Sequence, residues 1–202
     1  MELFLVRHGE TAWNAERRFQ GRSNVSLSER GRAQAAAIGA ALSSIPFSHA
    51  YSSDLQRAME TAGAIAADRN LTVDTDARLR EFDFGQWEGL TWTEIVARWP
   101  EYNTRMPVQA RLYEPVGGET FTHVVARVRA FLDDLFTRVT EGHTLIVTHA
   151  GALHAAMDVL APQGFDPLGM VFSTASITRL AMEGGRARLI TLNDVSHLDP
   201  IP

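Results

Sequence analysis

Apolar residues recur along the chain in two alternating periods, one of strands and one of helices. Leu3-Phe4-Leu5-Val6 is an unbroken apolar run that ends on Arg7, His8 and Gly9, the pattern of a buried strand delivering polar groups to a sheet edge. Residues 11–28 show neither period and read as a loop around that strand end. Ser26-x-x-Glu29 has the spacing of a capping box and predicts an alanine-rich helix to about Leu42. A second strand is predicted over 47–52. Ser53-Asp54-Leu55-Gln56 then reads as a further capping signal, for a helix running towards Asp68. A third strand is predicted over 71–74, a loop dense in carboxylates and aromatics over 78–89, and a short helix over 91–98 with Trp92, Ile95, Val96 and Trp99 on one face.

The strongest helical period lies over 120–139, where Phe121, Val124, Val128, Phe131, Leu132 and Leu135 recur at spacings of three and four. Leu145-Ile146-Val147 is a second buried run and ends on Thr148 and His149. A helix through Leu160 follows, and then two closing strands over 175–181 and 186–192, either side of Glu183-Gly184-Gly185. Alternating strands and helices predict an α/β fold with a mainly parallel sheet and helices on both faces. Residues 100–119 break every pattern with three prolines and two glycines, and so long a stretch in a compact domain predicts a lid or specificity segment.

Composition narrows this picture. A chain of 202 residues, 45% hydrophobic and 21% charged, fits one domain over 1–202 with a true core. No apolar run approaches the roughly 20 residues needed to span a bilayer, and no basic leader precedes the first strand, so a cytoplasmic protein without membrane attachment is expected. Cysteine is absent, which removes thiolate nucleophiles, disulfides and cysteine-based zinc sites. A net charge of −5 without a basic cluster argues against nucleic acid as a partner. Edge strands and apolar faces could support a homodimer, though nothing in the sequence requires one.

The candidate chemistry sits at predicted strand ends. Reactive groups at the carboxyl ends of parallel strands meet on one edge. Arg7 and His8 come from the first strand, Arg57 from the second strand-to-helix junction and His149 from the late buried strand. Two arginines and two histidines suit a dianionic phosphate. A neutral imidazole is a competent nucleophile when its other nitrogen is fixed by a hydrogen bond, and His8 is better placed than His149 because it adjoins Arg7 and a glycine. Arg7, Arg57 and a protonated His149 would stabilise the transferring group. Arg57 could equally pair with Asp54 or Glu60 on its own helix. Glu81, beside Phe82 and Phe84, is the candidate acid for the leaving oxygen, with Asp83 and Glu88 as competitors. No closely spaced His/carboxylate ligand pair is present, so no metal or other cofactor is expected.

These residues also carry a resemblance. Leu5-Val6-Arg7-His8-Gly9-Glu10-Thr11 with Trp13-Asn14 closely resembles the signature of the histidine phosphatase superfamily, the phosphoglycerate mutase-like proteins. Further matches follow in order: residues 53–62 around Arg57, Leu79-Arg80-Glu81, Gly117-Gly118-Glu119-Thr120 and Val147-Thr148-His149-Ala150-Gly151. The resemblance implies a three-layer α/β/α sandwich, phosphorylation of His8, phosphate binding by Arg7, Arg57, His149 and Asn14, and Glu81 as the acid. Residues 82–89 and 193–198 resemble the bacterial broad-specificity and alpha-ribazole phosphatases, which favours hydrolysis of a small phosphorylated metabolite. A cofactor-dependent phosphoglycerate mutase using the same pocket is the alternative, and a silent phosphate-binding module a more distant one. Asn24, Ser26 and His154 depart from the family pattern at the rim and at the entry to the first helix. Gln20 and His197 are candidate neighbours of the pocket and are read as structural.

Overall fold

The computed structural model describes residues 1–67, 69–104, 114–160 and 169–199. Six strands form one mixed sheet in the order β3-β2-β4-β1-β5-β6. β1 (Glu2–Arg7), β2 (Phe47–Ser52), β3 (Val73–Thr75) and β4 (His143–Thr148) are parallel, while β5 (Ile177–Glu183) and β6 (Arg186–Asp194) form an antiparallel pair on the far side of β1. The expected α/β architecture is therefore present, with the parallel part confined to four strands.

β1 and β4 lie inside the sheet, which is why their sequences are continuously apolar rather than alternating. Successive side chains point to opposite faces. Leu3 and Leu5 of β1 join a core with Val128, Phe131 and Leu135 of α5 (Phe121–Arg138) and Leu153 and Met157 of α6 (Ala150–Leu160). Phe4 and Val6 join the other core, with Ile38 of α2 (Glu29–Ala41) and Ala58, Ala62 and Ile65 of α3 (Gln56–Ala66). The chain steps outward from β1 to β2 to β3 with its helices on one face. It returns to β4 with α5 on the other, as the fixed hand of such crossovers requires.

Local signals were displaced in three places. α2 is capped by Ser28, whose Oγ accepts from Gly31 N, two residues after the serine that the Ser-x-x-Glu spacing picks out. The non-periodic stretch after β1 contains a one-turn helix, α1 (Ala12–Ala15). It is held by a capping box in which Thr11 Oγ1 accepts from Asn14 N and Asn14 Oδ1 accepts from Thr11 N. α3 starts from Leu55, which offers no side-chain cap, and the first helical N–H, from Gln56, goes instead to Asn24 Oδ1 at 2.8 Å.

α4 (Trp92–Arg98) is capped by Thr91 and buries Ile95. Pro100–Thr104 forms a 3-10 turn where no structure was expected. Residues 105–113, the centre of the expected lid, and Asp68 lie outside the described residues. The end of that segment returns to the loop after β3, where Gln86 N donates to Val116 O and Glu119 N to Asp83 O. Among the described residues no helix is long and apolar enough to cross a membrane.

The central position of β1 predicts a steep cost for loosening it. Leu5→Ala, at a site 1% exposed, should lower unfolding free energy by about 2–5 kcal/mol. Met59→Ala, on an exposed face of α3, should change it by no more than about 0.5 kcal/mol. Urea unfolding of both variants checks the contrast, and equal losses would contradict the assigned core.

Candidate active site

β1 and β4 end side by side, with Arg7 in register with Thr148, so the next residues of the two strands, His8 and His149, become neighbours. Their ring centroids are 5.0 Å apart and both side chains are buried. A cavity of about 720 Å³ opens at this edge, lined by Arg7, His8, Asn14, Arg57 and Glu81. Phe19, Phe84 and Trp92 line it as well, together with Arg17 and Gln20. Of the six residues singled out from the sequence, five line this cavity and His149 adjoins it through His8.

The hydrogen bonds of His8 settle its tautomer. Nδ1 lies 2.7 Å from Gly9 O, a pure acceptor, so Nδ1 carries the proton and donates. Nε2 is then left with a lone pair, and Arg57 Nε donates to it at 3.3 Å. Burial holds the His8 imidazole well below its ordinary pKa of 6.5, and the charges of Arg57 and Arg7 push the same way, against the Gly9 hydrogen bond. His8 is a neutral base with its free electron pair directed at a guanidinium.

Arg57 does not pair with the acids of its own helix. Nη1 donates to Ser23 O and Nη2 to Gly21 O, at 2.8 and 2.7 Å, which leaves Nε for His8. Asp54 is held by Arg80 instead. Burial lowers Arg57 to about 10, still charged at neutral pH, with the Glu81 carboxylate opposing the shift. Arg7 Nη1 donates to Phe172 O, and its Nε is buried without a partner among the described residues. Asn14 uses its amide oxygen in the α1 cap, leaving both N–H donors of Nδ2 for the cavity that it lines.

His149 would stabilise a transferring group only in its protonated form. Burial, followed by the charges of the two arginines, Arg57 before Arg7, holds it well below 6.5, so it is neutral in the free protein. Its Nε2 pairs with Ser53 Oγ at 2.8 Å, while Nδ1 is buried without a partner among the described residues. Ser53, read as a helix cap, is the residue that orients this ring. Its position straight after β2, next in the sheet to β4, was the available signal.

Glu81 is the one carboxylate of the three candidates that lines the cavity. Its Oε1 accepts from Phe82 N at 2.8 Å and Gly151 N at 2.9 Å. A Cβ at position 151 would lie 2.3 Å from that oxygen, so any larger residue there would displace the Glu81 carboxyl. Asp83 accepts from Gly85 N and pairs with Arg22, while Glu88 takes Arg22 N, Ser23 N and Ser23 Oγ. Both therefore serve the loops. Gln20, read as structural, reaches the cavity with its Oε1 bound by Thr11 Oγ1, whereas His197 bonds to Ala175 O and keeps the structural role. Gly9 gives close approach to the Gly31 carbonyl, 2.4 Å from where its Cβ would stand, rather than to a ligand. Among the described residues no group of three or more histidines and carboxylates could hold a metal ion.

Comparison with known proteins gives a consistent family. The family model of the histidine phosphatase superfamily (branch 1) matches residues 3–195. Phosphoglycerate mutase-like protein 4 of Arabidopsis thaliana is 35% identical over 98% of this chain and 87% of its own length. Phosphoserine phosphatase 1 of Hydrogenobacter thermophilus is 34% identical over 98% of this chain and 94% of its own. A mycobacterial glucosyl-3-phosphoglycerate phosphatase, solved in complex with vanadate, superposes with a TM-score of 0.84 at 33% identity, over 95% of this chain and 98% of that one.

The histidine environment makes a direct prediction. In phosphate-free buffer, ¹⁵N NMR of the labelled protein should show His8 as the Nδ1–H tautomer, neutral down to and below pH 6.5. Because the unfolded chain takes up these protons first, His8 and His149 should contribute stability above pH 6.5 that is lost as pH falls towards their folded values. A His8 midpoint at or above 6.5 would contradict the geometry.

Proposed function

The chain belongs to the histidine phosphatase superfamily (branch 1), and from that premise we propose that it hydrolyses small phosphomonoesters through a phosphohistidine on His8, without a metal ion. The observation that carries this reading is His8 at the cavity, with Nδ1–H fixed on Gly9 O and the Nε2 lone pair accepting from Arg57 Nε, a donor that a bound phosphoryl oxygen can take over. A phosphoryl group bound there meets a nucleophile that needs no base to activate it.

In the first step the Nε2 lone pair forms a bond to phosphorus as the ester P–O bond breaks. The departing alkoxide takes a proton from Glu81, whose carboxylate acquires it from the monoanionic ester on binding, and the positive charge gained by the imidazole rests on the Nδ1–H donated to Gly9 O. Arg57 Nε, Arg7 Nε and Asn14 Nδ2 are the donors available to the equatorial oxygens, and the His149 ring centroid stands 5.0 Å from that of His8. A dianion in the pocket also offsets the positive charges of Arg7 and Arg57 that keep His149 neutral. In the second step Glu81, now a carboxylate, takes a proton from water. The water oxygen bonds to phosphorus, the P–N bond breaks, and phosphate leaves with His8 neutral again.

The cavity wall of Phe19, Phe84 and Trp92 is suited to the carbon skeleton of the alcohol, and Arg17 adds a cation at the same wall. Phosphoserine and glucosyl-3-phosphoglycerate, the esters named for two relatives, belong in the substrate panel with 3-phosphoglycerate, alpha-ribazole phosphate and an activated aryl phosphate.

Phosphate release from this panel in the presence of a chelator tests the proposal. The wild type should release phosphate, and His8→Ala should not, with its unfolding transition retained. Phosphoglycerate interconversion without net release would establish the mutase instead, and neither reaction would leave a binding module. Arg57→Ala should cost roughly 10²-fold to 10³-fold in rate, as for one preorganised charge-stabilising donor. Glu81→Gln should slow alkyl esters far more than activated aryl esters, since only a poor leaving group needs the proton. Equal slowing of both would remove Glu81 from that role.

A further inference from the structure

The backbone that presents Glu81 belongs to no strand or regular helix after Leu79, so its carbonyls have no ladder partners. They are held from the side by one residue of α5. Arg127 Nη1 donates to Arg78 O and Arg80 O, both at 2.7 Å, and Nη2 donates to Glu81 O at 3.0 Å. The carbonyl between them, Leu79 O, is taken by Thr148 Oγ1 at 2.6 Å, from the residue just before His149. The other two N–H groups of Arg127, on Nε and Nη2, grip the two oxygens of Glu119, both at 3.1 Å. All five donors of the guanidinium are engaged, in a fork that a lysine ammonium cannot reproduce.

Glu119 is the anchor of this clamp. It also accepts from Asp83 N at 3.1 Å and from Arg22 Nη2 at 2.7 Å, so the same carboxylate reaches the chain on both sides of the acid loop and the loop that binds Arg57. The charge and hydrogen bonds of Arg127 hold its carboxyl below the usual range even though burial acts in the other direction. Arg127 and Glu119 are absent from the cavity lining, so neither is placed to touch substrate.

We propose that Arg127, anchored by Glu119, is the positioning residue of the acid–base step: it fixes the main chain at Arg78, Arg80 and Glu81 so that the Glu81 carboxyl stands where the leaving oxygen needs its proton. The inference rests on the reading of Glu81 as the acid. Oε1 is tied to the N–H of the adjacent Phe82, so a shift of this main chain moves the carboxyl with it. A displacement near 1 Å is enough to cost about 10²-fold in a step that depends on placement.

The test compares Arg127→Lys, Glu81→Gln and the double variant with the wild type, on phosphate esters whose leaving groups span a wide range of acidity. Arg127→Lys should lower kcat for alkyl esters by about 10²-fold while leaving the most activated aryl ester within about 3-fold, because that ester needs no proton. The double variant should be no slower than Glu81→Gln alone. Slowing by the same factor for every leaving group, or losses that multiply in the double variant, would overturn the proposal and leave Arg127 a purely structural role. If Glu81→Gln itself shows no dependence on the leaving group, the acid assignment falls and this inference with it, whereas an inactive wild type would fail the phosphatase reading. Should Arg127→Lys not fold, Glu119→Gln gives the same comparison with the fork intact but its anchor neutral. A smaller loss confined to alkyl esters supports the proposal, and a uniform loss overturns it.

Discussion

Burying positive charge without neutralising it is the constraint on which this site depends. Two guanidinium groups and two imidazoles lie together where β1 and β4 end and α3 begins, and desolvation penalises a charge on each of them. The arginines stay charged because the Glu81 carboxylate opposes the effect of burial and carbonyl oxygens receive their N–H groups, Phe172 for Arg7 and Gly21 and Ser23 for Arg57. The imidazoles respond in the opposite way and remain neutral. One electrostatic field thereby sets charged guanidinium groups, which favour an anion, beside imidazoles that stay neutral.

Loops carry much of that burden. The stretch after β1 gives its carbonyls to Arg57, the stretch after β3 gives Glu81, and the stretch before α5 gives Glu119, which touches both. Charged side chains replace the strand ladders these segments lack. Buried ion pairs of this kind add little net stability, but leaving one partner alone in the interior is expensive. The network is therefore better understood as fixing geometry than as strengthening the fold.

Much of this arrangement was legible in the sequence because it follows from periodicity. Leu3 to Val6 and Leu145 to Val147 could only be buried strands, and the residues that follow such strands had to meet. Arg7, His8 and His149 were placed by that reasoning alone. Arg57 was undecided between the site and its own helix, since helical spacing offered Asp54 and Glu60 as well, and only the fold shows that Arg80 takes Asp54. The signals that misled were short-range ones. Ser26 and Ser53 both have cap spacing, yet Ser28 caps α2 and Ser53 turns to His149, because tertiary contacts chose between equivalent local options. Arg127 carries no motif signal at all: it is one polar position on an amphipathic helix, and its function lies in carbonyl groups nearly fifty residues away.

The strand order has a consequence for how the protein is made. β1 pairs only with β4 and β5, so the strand bearing His8 has no neighbour until residue 148 has been synthesised. β2 and β3 can pair early, but they stay separated from β1 by a gap that β4 must enter. During translation this strand of four consecutive apolar residues therefore waits through some 135 residues of growing chain, exposed to the wrong partners that long-range sheet topologies invite. The insertion of β4 then fills that gap and brings His149 beside His8 in the same event, so that a ribosome-bound chain lacking β4 carries Arg7, His8, Asn14, Arg57 and Glu81 but neither His149 nor the assembled cavity edge.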